Sequence, residues 1–188
     1  MSMTVNRRKD TRTPRVLMHR VADIRGGVSV NVKELGGDYL NEGTPLSAPV
    51  DGICHVVKVA EVTEGVAATA KSIKVKKLHN FKKGDFVLLA ENAVATEIAD
   101  IDTTGKDTDT LTVKEALGTI TAGACIVEAK AKSTNDSALK YVPFAIAGTG
   151  SAVVPNTNLN VDAWVIAVTK GNNLPTVVSK HLTGIHNY

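Results

Sequence analysis

The residues of this chain that could do chemistry are scattered rather than gathered. Asp102, Asp107 and Asp109 lie close enough together to suggest a calcium loop, which draws several oxygen ligands from one short segment. They do not follow the order D-x-[DN]-x-[DN]-G, and no glutamate closes the loop at the right distance. Hairpin chemistry explains them, since Asp and Thr start turns by bonding nearby backbone. His181 and His186 miss the i, i+4 spacing of a helical zinc site, and His55 and His79 stand alone. A nucleophile needs a base and an orienting group beside it. Cys54 and His55 are neighbours in sequence, so on a strand they point to opposite faces, and no G-x-S-x-G element occurs. Gly148-Thr149-Gly150 is too short for a phosphate loop and is followed by neither a basic residue nor a helical pattern. The expectation is a protein that is not an enzyme and needs no metal or cofactor.

What must position these residues is a scaffold that contains one pattern twice. Leu78, Phe81, Gly84, Val87 and Ala90 recur 39 positions later as Leu117, Ile120, Gly123, Ile126 and Ala129. Each copy, LHNFKKGDFVLLA and LGTITAGACIVEA, reads as a turn on glycine feeding a strand. Lys83-Gly84-Asp85 resembles a receptor-binding tripeptide. Only its glycine is shared with the second copy, so Gly84 and Gly123 are read as structural turns in which glycine supplies a positive φ. Before each copy runs another strand-like segment, SIKVKK at 72–77 and TLTVKE at 110–115. Aligning these two needs a slip of one residue, as a β-bulge would give. Two strand-turn-strand units predict a mainly β fold built on a small closed β-barrel, since closure removes exposed sheet edges.

Composition agrees with that class. Aromatics are 4% of the 188 residues, so the core rests on Val, Ile, Leu and Ala, and short Val- and Thr-rich runs between Gly, Asn and Asp favour strands. Val28, Val30 and Val32 alternate with polar residues, and Val57 and Val59 alternate with Lys58 and Ala60, the period of half-buried strands. Cys54 and Cys125 lie in apolar runs, where a thiol behaves as a small hydrophobe. No apolar stretch approaches the roughly 20 residues of a membrane span, and no apolar segment follows the basic N-terminus as a secretory signal requires.

The predicted organisation has four parts. Residues 1–15 form a basic arm carrying Arg7, Arg8, Lys9, Arg12 and Arg15 against the single acid Asp10, more positive than the whole chain at +3. It lacks the apolar residues to order itself. A β-meander follows over 16–66, the duplicated barrel unit over 67–132, and a β and helix region over 133–188. In the last region Asn173 is placed to cap a short helix with Pro175 in its first turn and Gly184 as its stop. Leu174, Val178, Leu182 and Ile185 make one apolar stripe. With Trp164, the residues Val178, Leu182 and Ile185 are the candidate subunit interface, and the basic arm is the candidate attachment site.

The segments GGVSVNVKELGGDYLNEGTPL, HNFKKGDFV, ADIDTTGKDTDTLTVKEALG and AGACIVEA resemble the head fibre and capsid decoration proteins of tailed bacteriophages. They are most similar to the head fibre group in phages and prophages of gut Bacteroides-type bacteria. The likeness covers most of the chain from Val28 to Ala129. It implies a structural protein of the virion surface, made in the host cytoplasm, homotrimeric in fibres and attached to the capsid shell by one terminal region. It brings no active site. A second reading, from the residues alone, is a nucleic-acid-binding β-barrel module that uses the basic arm as a phosphate anchor.

Overall fold

The computed structural model describes residues 15–188, so Arg7, Arg8, Lys9 and Arg12 of the arm lie outside the described residues. The strands, in chain order, are β1 (Leu17–Asp23), β2 (Val28–Val30), β3 (Tyr39–Leu40), β4 (Pro45–Ser47), β5 (Ile53–Cys54), β6 (Val59–Glu61), β7 (Ser72–Lys76) and β8 (Phe86–Leu88). They continue as β9 (Ala95–Asp102), β10 (Thr108–Val113), β11 (Cys125–Ala129), β12 (Pro143–Ala147), β13 (Ser151–Ala152), β14 (Leu159–Val161) and β15 (Ala163–Thr169). One helical turn, α1 (Thr176–Ser179), precedes the last strand, β16 (Ile185–Asn187). The fold is mainly β.

Six strands form the largest sheet, in the order β6-β11-β8-β9-β10-β7. The duplicated segments pair with each other inside it: β7 lies against β10 with Ile73 opposite Leu111, and β8 lies against β11 with Val87 opposite Glu128. A register shift between Thr112 and Val113, where β10 meets β9, is the irregularity nearest the slip in the repeat. The two ends of the sheet come together through an antiparallel bridge from Val62, just after β6, to Val75 in β7. Ile73, Val75, Val87, Ile98, Leu111 and Ile126 are fully buried in one core.

Gly84 and Gly123 hold equivalent turns, with φ of 90° and 84°. In each case the next residue's amide closes the turn, Asp85 N–H onto Lys82 O and Ala124 N–H onto Thr121 O, both at 3.1 Å. An L side chain is strained there by its own backbone.

The chain's two ends combine into the second main sheet. In it β1, β15, β12 and β4 are neighbours in that order, and β16 lies parallel to β15. Residues either side of the duplicated unit therefore share one sheet, while β6, from the region expected to be separate, joins the six-stranded sheet. A third core, of Leu88 and Val127 from one sheet with Ile146, Val178 and Leu182 from the other half, packs the two sheets together.

The C-terminal helix is shorter than its apolar spacing predicts. It is a single turn with Pro175 at its N-cap and no side-chain cap, and Asn173 instead donates from Nδ2 to Gly123 O at 2.8 Å. Ile185 belongs to β16, so the stripe is made by a turn and a strand. Val178 and Leu182 are buried at 0% and 3% exposure within this chain, which corrects their assignment to a subunit interface: their apolar surface is already covered. Trp164 and Ile185 are half-buried against the same core.

Candidate functional site

Strand β11 is buried along its whole length, because β6 and β8 flank it and apolar layers cover both faces. Two-residue alternation places Ala60, Val87 and Ile126 on the inner side of the sheet. The same alternation puts Lys58, Asp85 and Glu128 on that side, two residues further along at one end of the core. Lys58 Nζ lies 2.6 Å from Asp85 Oδ2 and 3.2 Å from Glu128 Oε1. The three side chains are 0%, 6% and 2% exposed.

Backbone bonds hold each partner in place. Glu128 N–H donates to Lys58 O at 3.0 Å, and Lys140 N–H donates to Glu128 O at 3.2 Å. Lys82 N–H also donates to Asp85 Oδ2, at 2.9 Å. Glu128 Oε1 accepts a second ammonium, Lys140 Nζ at 2.9 Å, while Glu128 Oε2 is buried with no hydrogen-bond partner.

The network runs outward from there. Lys140 reaches towards Glu34, at 4.0 Å, whose Oε1 accepts from Tyr141 O–H at 2.7 Å and whose Oε2 lies 3.2 Å from His55 Nδ1. The His55 ring stacks on Tyr141, centroids 4.3 Å apart. Burial alone would raise the Glu34 carboxyl, but the Tyr141 bond and the charges of Lys140 and His55 hold it below its ordinary value. Burial and the bond to Glu34 push the Tyr141 hydroxyl up.

A second charged group lies beside open clefts. His79, Lys77 and Asp109 converge where two clefts of about 370 and 300 Å³ share the segment Lys77 to Asn80. Lys77 Nζ pairs with Asp109 Oδ1 at 2.7 Å. Phe81 N–H donates to His79 Nδ1 at 3.0 Å, which leaves the proton of the neutral ring on Nε2. Nε2 is 3.3 Å from Asp109 Oδ2, close enough for attraction but out of line for a hydrogen bond. Burial is the leading cause of a lowered His79 pKa, and Asp109 only partly offsets it. Leu78 and Asn80 adopt left-handed φ values of 68° and 60°, an uncommon conformation for leucine.

The structure reassigns the residues first considered for chemistry. Asp102 accepts from the backbone N–H and hydroxyl of Thr104 at 2.9 and 2.7 Å, and Asp109 faces Lys77, so the two aspartates point to different partners. Cys54 is buried in one core while His55 stacks on Tyr141. Burial pushes the Cys125 thiol up to about 11, and the same cause raises Cys54. Arg15 is exposed. Among the described residues no group of three or more His, Cys, Asp or Glu stands together as a metal site would need.

Lys58 escaped the sequence reading because alternation with valines assigned it outward. Glu128 left a signal, a carboxylate inside the apolar run GACIVEA. No family model matches the chain, and neither a curated protein nor a solved structure matches it.

Proposed function

We propose that this chain is a structural virion protein, a head fibre or decoration module on the outside of a phage capsid, and that it assembles as a homotrimer. The observation that carries the reading is that three deeply buried ionisable side chains, Lys58, Asp85 and Glu128, are paired with one another inside the scaffold. Chemistry enclosed in this way maintains shape. It joins the resemblance of residues 28–129 to head fibre proteins. Closure of the six strands into a barrel is part of the proposal and is supported by the Val62–Val75 bridge. Strand β1 supports self-association: it is a sheet edge, and Met18 and Val21 on it are 49% and 58% exposed.

In this reading the basic arm, residues 1–15, docks on an acidic or groove-like surface of the shell, and several arms of one oligomer act together through effective concentration. The test combines light scattering with co-sedimentation on capsids. A trimer that binds capsids, and a chain lacking residues 1–15 that stays trimeric but no longer sediments with them, is the expected result. A monomer that binds duplex DNA with affinity falling steeply as salt rises would support the nucleic-acid module instead.

A further inference from the structure

Lys58, Asp85 and Glu128 bring an amine, a carboxyl carbon and a second carboxylate together in a water-excluded end of the core. We propose that Lys58 Nζ and Asp85 Cγ condense spontaneously to an isopeptide bond, with Glu128 as the proton carrier. The amine and the acid are already in contact, at 2.6 Å from Nζ to Oδ2. Holding two reactants in such a geometry is equivalent to effective concentrations of about 10⁵ to 10⁸ M, and the enclosed site keeps out the water that would favour hydrolysis.

The step balances without any further reagent. Lys58 passes one ammonium proton to Glu128, whose Oε1 lies 3.2 Å away, and the freed amine attacks Asp85 Cγ. Asp85 Oδ2 carries the developing negative charge, held by the Lys82 N–H at 2.9 Å, and becomes the amide oxygen. Asp85 Oδ1 departs as water. Both protons that the nitrogen sheds end on that oxygen, and Glu128 returns to its starting form.

The surroundings suit the product better than the reactants. Two lysines, Lys58 and Lys140, face two acids, Asp85 and Glu128. Condensation removes one charge of each sign from a region where every ion costs several kcal/mol to bury. What remains is the Lys140–Glu128 pair, so no charge is left alone. The new amide keeps its partners, with its oxygen on Lys82 N–H and its N–H facing Glu128 Oε1. It would tie the segment before β6 to the turn before β8 across the central strand β11, stapling the strands of the duplicated unit.

Mass spectrometry of the purified full chain, denatured and then digested, tests this. The expected result is one branched peptide in which the Lys58 and Asp85 segments are joined, lighter by one water than the two together. Glu128→Gln, folded as judged by circular dichroism, should yield the two segments separately, as should Lys58→Met. Two separate segments of full mass from the wild-type chain would overturn the proposal whatever the variants do. So would a lost water that maps to any other residue pair, and a bond that forms fully in folded Glu128→Gln would overturn the role given to Glu128.

Discussion

The two charged groups of this protein contain similar side chains in different settings. Around Lys58 the partners Asp85 and Glu128 are buried and placed by backbone pairing of β6, β11 and β8. Around His79 the partners line open clefts on a loop held in strained backbone conformations. Enclosure makes the first group act on stability, because a buried ion that loses its partner has no water to replace it. The second group responds to solution pH because it contains a histidine whose protonation burial opposes. The two groups thus differ in the side chain that titrates and in the element that holds it, since His79 and Asp109 are about as buried as Asp85.

The largest effect should come from breaking the enclosed group. Removing one partner of a buried pair costs about 3 to 5 kcal/mol, so Lys58→Met, which strands Asp85 and leaves Glu128 with Lys140 alone, should lower the unfolding free energy by that much. Next come the apolar residues that carry the repeat. Val87→Ala and Ile126→Ala, both fully buried, should each cost about 2 to 4 kcal/mol in equilibrium unfolding. Gly84→Val and Gly123→Val should each cost about 1 to 3 kcal/mol through backbone strain. Lys83→Ala, beside Gly84 in the first of those turns and 73% exposed at its side chain, should be near neutral in the same assay.

A smaller effect distinguishes the His79 group. His79 has a folded pKa below its ordinary 6.5, so the unfolded chain takes up the proton first. Its contribution to stability is therefore complete above about pH 6.5 and declines as pH falls towards the folded value. His79→Gln should flatten that decline in a series of unfolding curves over this window. The smallest expected effect is none: millimolar calcium should not raise the melting temperature, because Asp102 and Asp109 already have partners within the chain.

Legibility in the sequence followed locality. The glycine repeat revealed the turns at Gly84 and Gly123 and the strands they feed, because a turn and its strand depend on adjacent residues. Alternation at Val28, Val30 and Val32 marked β2 for the same reason. It misled at Lys58, since a strand covered on both faces has no outward side, and coverage comes from segments distant in sequence. The pairing of β4 with β12 and β15 with β1 joins segments about a hundred to a hundred and fifty residues apart, and no local pattern records it. At the C-terminus the spacing of Val178 and Leu182 identified buried positions, yet Pro175 and the parallel pairing of Ile185 with Ala167 limited the helix to one turn. Asp109 looked like a hairpin residue because Lys77 and His79, its partners, are some thirty residues earlier.

Whether the Lys58 group does more than the His79 group to secure the fold is tested most directly by the unfolding free energies of Lys58→Met and His79→Gln, measured side by side at neutral pH. The account predicts that Lys58→Met loses more by at least about 2 kcal/mol, the gap between an uncompensated buried ion and a single altered hydrogen bond. Equal losses, or a larger loss in His79→Gln, would contradict it.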